Sequence, residues 1–102
     1  FLDINHQVEV LDLLTDLVKT GGRTVVVVLH DLNLACRYAD HIVAMKSGKI
    51  IAEGKPVDVM TEKVVHDVFN MSSRIVLDPV SNTPMIVPIG RHHVETVQDV
   101  SY

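Results

Sequence analysis

His30 is the residue whose type and position most directly suggest chemistry. It ends an apolar run of four valines and a leucine, within the stretch "TVVVVLHDLNLA" (residues 24–35). In open α/β sheets, ligands bind outside the carboxyl ends of the strands, and an imidazole there can hydrogen-bond an anionic ligand. Position and residue type leave two interpretations open. His30 binds a ligand, or it only satisfies backbone groups where a strand turns into a helix.

The other histidines and the single cysteine do not form a recognisable site in the sequence. His6, His41 and His66 lack the C-x-x-C or H-x-x-x-H spacing of zinc ligands. The adjacent pair His92-His93 fits a solvated tail better than a pair of ligands. Cys36 is expected to be a buried, inert thiol, because no basic partner is evident. We therefore expect no metal site.

Length, composition and charge indicate one small globular domain. The chain has 102 residues, of which 47% are hydrophobic and 22% charged, and its net charge is −4. An acidic balance gives no reason to expect nucleic-acid binding. One cysteine cannot form an internal disulfide, which favours a reducing compartment. No apolar run reaches the roughly 20 residues of a membrane helix. The four methionines are expected to fill the core: Met45, Met60, Met71 and Met85.

The elements around His30 begin with a well-marked helix. "DINHQVEVLDLLTDLVKTGG" has Asp3 as its N-cap and Gly21-Gly22 as its stop, with an apolar stripe at helical spacing. "RTVVVVL" (residues 23–29) favours a strand, and its lack of alternation predicts burial on both faces, as in a parallel sheet. Asp31 then caps a short helix over residues 32–39.

Downstream of this helix, the sequence predicts local hairpins and short helices. "HIVAMKSGKIIAEG" predicts two strands joined by a turn at Ser47-Gly48. "KPVDVMTEKVVHDVFN" predicts helix with a break near Thr61, and "RIVLDPVSNTPMIVPI" predicts a hairpin whose turn is "DPVSNTP". We accordingly divide the chain into residues 1–22, 23–55, 56–90 and a polar tail, 91–102.

The order of these elements is an α/β pattern. Parallel strands connect through right-handed helical crossovers, so the first helix needs a strand before Phe1, and the valine strand needs parallel neighbours. The sequence is therefore predicted to be the second half of a domain.

The same segments resemble a known family. "FLD" followed by a helix, and then "TVVVVLHDLNLACRYADHIVAMKSGKIIAEGKP", resemble the C-terminal half of an ABC-transporter nucleotide-binding domain, which is a P-loop NTPase. The end, "VFNMSSRIVLDPVSNTPMIVPIGR", resembles the small C-terminal β-hairpin region of ATPase subunits from importers of iron–siderophore, haem and cobalamin type. The resemblance covers most of the chain and keeps the order of its motifs.

The resemblance implies roles for three residues. Leu2 and Asp3 match the D-loop, which lies at the interface between two ATPase subunits where ATP is sandwiched. His30 matches the H-loop or switch histidine, which contacts the γ-phosphate. The full-length protein is then expected to use ATP and Mg²⁺, to form a homodimer, and to bind membrane permease subunits at the cytoplasmic face of a bacterial cell membrane, importing an iron chelate.

Several motifs of that family are not in these residues. The sequence contains no G-x-x-x-x-G-K-[ST] phosphate loop, no signature motif and no Walker B acidic pair. We therefore expect the 102 residues alone to be inactive, to bind no nucleotide, and to associate or exchange the valine strand rather than form a native-like monomer. The alternative is a stand-alone protein-interaction module in which His30 is structural.

Overall fold

The computed structural model describes residues 3–90, which form four helices and two antiparallel hairpins. In chain order, the elements are α1 (Ile4–Gly21), α2 (Leu32–Tyr38), β1 (Ile42–Lys46), β2 (Lys49–Gly54), α3 (Pro56–Val59), α4 (Glu62–Phe69), β3 (Ser73–Leu77) and β4 (Pro84–Pro88). Leu2 and the pair His92-His93 lie outside the described residues.

The helix boundaries follow their capping residues. The carboxylate of Asp3 accepts a hydrogen bond from the backbone N–H of His6 (2.9 Å), which starts α1. Gly22 ends α1 in the left-handed conformation, with φ at 61°. Thr61 lies between α3 and α4 and caps α4. Its hydroxyl accepts a hydrogen bond from the backbone N–H of Val64 (3.2 Å). These features confirm the helix start, the glycine stop and the break near Thr61.

The strand predicted over residues 23–29 is not formed. The prediction that both faces of this segment are buried is also wrong for this structure. Residues 22–29 have no regular secondary structure, and the side chains of Val26 and Val28 are 90% and 82% exposed. A β-strand exists only when a neighbouring strand completes its hydrogen bonds. Among residues 3–90, each strand pairs only with the other strand of its own hairpin. No strand therefore pairs with the valine segment, despite its β propensity.

Both predicted hairpins are present. β1 and β2 pair from Ile42 opposite Gly54 to Lys46 opposite Lys49. Their two-residue turn places Ser47 and Gly48 at φ values of 52° and 76°; positive φ at both positions matches the right-handed twist of a hairpin.

The C-terminal hairpin has a longer turn. β3 and β4 pair from Ser73 opposite Pro88 to Leu77 opposite Pro84. Each hairpin is a separate two-stranded sheet, so the described residues combine α-helices with antiparallel rather than parallel strands.

The core lies where α2, α3 and α4 pack on the two hairpins. Its buried members are Cys36, Ile42, Ala44, Val59, Met60, Val65, Val68 and Ile86. The expectation of core methionines is right for Met60, which is 3% exposed, and wrong for Met45, which is 55% exposed on β1.

Helix α1 lies at the margin of this core. Leu11 is its one buried residue, whereas Leu13 and Leu17 are 64% and 43% exposed. A hydrogen bond from the Tyr38 hydroxyl to Asp12 (2.8 Å) links α2 to α1. None of the helices within residues 3–90 has the length and apolar character needed to cross a membrane.

Candidate functional site

His30 lies at a bend directly before the cap of α2. Its side chain is exposed, and within residues 3–90 it forms no hydrogen bond or ion pair. Its two ring nitrogens are therefore accessible to a ligand supplied from outside these residues. Such a ring can donate a hydrogen bond to an anionic oxygen.

Asp31 connects this histidine to helix α2. Its carboxylate accepts hydrogen bonds from the backbone N–H groups of Asn33 (2.9 Å) and Leu34 (3.1 Å). These are orphan donors of the first helical turn, and an aspartate cap also suits the positive end of the helix. The residue after His30 is thus fixed by the start of α2.

Asn33 attaches α2 to the C-terminal hairpin. Its side-chain oxygen accepts from the backbone N–H of Ile86 (2.7 Å), and its side-chain nitrogen donates to the carbonyl of the same residue (3.3 Å). One amide side chain thereby takes the place that a neighbouring strand would occupy at this position of β4. Because Ile86 is 3% exposed, these backbone groups would otherwise be buried without partners.

Arg37 makes the second attachment, one helical turn further along. Its Nε donates to Oδ2 of Asp78 (2.6 Å), and its second guanidinium contact joins Nη2 to Oδ1 (3.1 Å). This is the two-bond geometry that a guanidinium and a carboxylate favour. The Asp78 side chain is 1% exposed and that of Arg37 is 34% exposed, so the pair lies at the edge of the core.

Asp78 is also held by its own turn. Its Oδ1 accepts from the backbone N–H of Val80 (2.8 Å). Its backbone N–H donates to the carbonyl of Thr83 (2.8 Å), and its carbonyl accepts from the N–H of Asn82 (2.9 Å). The Arg37 guanidinium, together with the Val80 N–H, lowers the pKa of Asp78 to about 2. The carboxylate is therefore ionised across the physiological range.

Asp3 lies at the start of a different helix. Besides capping α1, its carboxylate is 3.1 Å from Nδ1 of His6, with the two side chains 65% and 63% exposed. No hydrogen bond or ion pair joins Asp3 to His30. Within residues 3–90, the two predicted site residues therefore belong to separate elements, and Leu2 lies outside the described part of the chain.

The residues of this chain do not by themselves fit a complete Mg-ATP site. Residues 3–90 contain no cluster of three or more His, Cys, Asp or Glu side chains that could hold a metal ion, and the sequence has no phosphate loop. Cys36 is 1% exposed, and burial raises the pKa of its thiol to about 11, as expected for an inert cysteine.

Sequence reasoning missed three residues that attach α2 to the C-terminal hairpin: Asn33, Arg37 and Asp78. One signal was available, because Asn33 and Arg37 are four residues apart and so share a face of α2. The sequence places Asp78 only in the hairpin turn. Its partner is separated from it by 41 positions, and no local pattern predicts such a pairing.

Comparison with known proteins gives consistent matches over 91 residues. The chain is 56% identical to the petrobactin import ATP-binding protein FpuD of Bacillus anthracis, covering 89% of this chain and 33% of that protein. It is 53% identical to the achromobactin transport ATP-binding protein CbrD of Dickeya dadantii (89% and 34%). It is 45% identical to the ferric enterobactin transport ATP-binding protein FepC of Escherichia coli (89% and 34%).

These matches cover most of this chain but only a small part of each matched protein. No protein-family profile matches the chain. The chain spans about a third of the length of the curated relatives it matches. At 45–56% identity over nearly nine-tenths of its residues, the chain belongs to the ATP-binding subunits of ABC transporters of the iron-chelate importer type.

Proposed function

We propose that the full-length protein is the ATP-hydrolysing subunit of an ABC importer for an iron–siderophore or a related chelate. The observation that carries this proposal is the set of relatives named for petrobactin, achromobactin and ferric enterobactin transport, each at least 45% identical over 89% of the chain. A relative named for hemin import, 43% identical over 84% of the chain, widens the chelate class to haem.

In this proposal His30 is the switch histidine. Its exposed ring donates a hydrogen bond to a γ-phosphate oxygen as negative charge builds up during phosphoryl transfer. Catalysis of that reaction depends mainly on positioning and on stabilising charge on the phosphoryl oxygens. The support is the position of His30, which is exposed at a bend and is followed at once by a capped helix.

Leu2 and Asp3 are assigned to the D-loop, at the interface between two ATPase subunits of a homodimer. The support for Asp3 is its 65% exposed side chain at the start of α1, where a second subunit can approach it. The permease partners and the position on the cytoplasmic face of a bacterial membrane follow from the same assignment, because an import ATPase must act on a membrane channel from the side where ATP is found.

The 102 residues alone are proposed to be inactive. They supply two positions of the site with described geometry, Asp3 and His30. Residues 3–90 contain no cluster of side chains that could hold Mg²⁺, and the sequence has no phosphate loop. The exposed valines Val26 and Val28 are proposed to make this chain self-associate, since unpaired β-prone segments recruit other strands.

Uptake by cells tests the proposed transport. A bacterial strain lacking the gene is supplied with the wild-type gene or with His30→Ala, and radiolabelled iron is offered as catecholate, hydroxamate or haem complexes under iron limitation. We expect uptake of one chelate class to be restored by the wild type and strongly reduced in His30→Ala. A strain that imports every iron complex normally without the gene contradicts the proposal.

A further inference from the structure

We propose that the C-terminal hairpin β3–β4 holds His30 in its working position, with Asn33, Arg37 and Asp78 as positioning residues. The histidine would then depend on a part of the chain about 50 positions away, through contacts that include no atom of its own side chain. This inference rests on the proposed function of His30.

Regular structure adjoins His30 on its C-terminal side only. The preceding residues 22–29 have no regular structure, and the ring of His30 has no hydrogen-bonding partner within residues 3–90. The following residue, Asp31, is fixed by two hydrogen bonds to the first turn of α2. Within the described chain, the position of the histidine is therefore set by the position of α2.

Helix α2 depends on its contacts with the hairpin for its position. It has seven residues, far fewer than the roughly 12–15 that a helix needs for stability without tertiary contacts. Asn33 and Arg37 lie four residues apart on one face, about 6 Å along the helix axis. Each makes two hydrogen bonds to the hairpin. Two pairs of hydrogen bonds, at two positions along the helix axis, fix both the tilt and the rotation of the helix.

Asp78 is held in place by hydrogen bonds within the hairpin turn. Its carboxylate is almost fully buried, and both its side chain and its backbone are bonded within the turn. Replacing a buried ion pair by well-packed apolar residues of similar size is often neutral or stabilising, so such a pair is weak evidence for stability. The pair instead supplies a directional, two-bond contact, which suits the orienting of one element on another.

A double-mutant cycle in the full-length protein tests this proposal. ATP turnover is compared for wild type, Arg37→Ala, His30→Ala and the double variant, each after gel filtration and with its melting temperature measured. We expect Arg37→Ala to lower kcat about tenfold or more, since small displacements of a catalytic group have large effects on rate. The KM for Mg-ATP should change little. In the His30→Ala background, Arg37→Ala should change kcat less than about twofold, because a positioning residue has nothing left to position.

The control is Lys63→Ala, which breaks an exposed ion pair of similar length, 2.7 Å to Asp67, on a different helix. It should leave kcat unchanged. If Arg37→Ala does not yield folded protein, Asn33→Ala takes its place in the same cycle. If Arg37→Ala does fold, Arg37→Lys should recover part of the turnover that Arg37→Ala loses.

The outcomes separate this proposal from the one on which it rests. Normal turnover in His30→Ala overturns the proposed function of the histidine. If turnover in His30→Ala is slow, the proposed function of the histidine stands. The positioning role alone is then overturned if Arg37→Ala and Asn33→Ala are fully active, or if they reduce kcat equally with and without His30.

Discussion

Arg37 and Asp78 are joined by two hydrogen bonds, of 2.6 and 3.1 Å, across 41 positions of the sequence. The contact ties the short helix that follows His30 to the turn of the C-terminal hairpin. A nearly inaccessible carboxylate on the hairpin thus faces a guanidinium at the edge of the core. Separating the two would leave the Asp78 charge buried without its partner, which is costly in a protein interior.

The stability of the full-length protein should depend on pH through Asp78. The folded-state pKa of about 2 lies below the ordinary value of 3.8. The ionised carboxylate therefore stabilises the fold above about pH 4, and this contribution is lost as the pH falls towards 2. Urea unfolding of the wild type and Asp78→Asn measures it. The wild type should be more stable at neutral pH, and the difference should shrink between pH 4 and 2. If the difference in the free energy of unfolding stays constant between pH 4 and 2, the lowered pKa of Asp78 does not account for it.

Replacing Asn33 by alanine should lower the free energy of unfolding by about 1–3 kcal/mol, because the buried N–H and carbonyl of Ile86 lose their partners. Asn5→Ala is the matched control, since Asn5 is also a helical asparagine but is exposed. It should change stability by less than about 0.5 kcal/mol. Denaturant unfolding of both variants compares them. Equal effects of the two substitutions would show that the amide contact with β4 contributes nothing.

Residues 1–102, produced alone, should self-associate through the valine segment. Val26 and Val28 are exposed and two positions apart, so they share a face of an extended segment. Light scattering should give a mass above 11.3 kDa, and the double variant Val26→Lys/Val28→Lys should shift it towards the monomer. Val80→Lys is the control, because Val80 is a 77% exposed valine in the hairpin turn. This substitution should leave the measured mass unchanged. A monodisperse wild-type monomer would contradict this expectation.

The same 102-residue polypeptide should not bind Mg-ATP appreciably. Most of the affinity for nucleotide in P-loop NTPases comes from the phosphate loop and its lysine, and neither is present in this sequence. Titration calorimetry is the measurement, with the full-length protein as the positive control. A dissociation constant in the micromolar range or below for residues 1–102 would show that other groups carry the affinity.

Local signals in the sequence predicted much of this structure. Asp3 and Gly22 mark the ends of α1, and Ser47-Gly48 forms the hairpin turn. These features depend on side chains and backbone angles within a few residues, so a pattern in the sequence is enough to identify them.

The errors concern features that depend on distant partners. Residues 23–29 have the composition of a strand, but strand formation needs a neighbour that residues 3–90 do not supply. The Arg37–Asp78 and Asn33–Ile86 contacts join segments 41 and 53 positions apart, and neither partner's local sequence specifies the other. The position of His30 after an apolar run is a local feature, and it is enough to identify this residue as a candidate. The contacts between the hairpin and the helix that follows His30 could be identified only from the structure.

Steady-state ATP turnover of the full-length protein, with and without His30, tests the central claim most directly. His66→Ala is the control, because His66 is also an exposed histidine but lies on α4. We expect His30→Ala to lower kcat by about tenfold or more, as removal of a group that stabilises transition-state charge does, while Mg-ATP binding is retained in part and His66→Ala stays fully active. Wild-type turnover in His30→Ala would contradict the account.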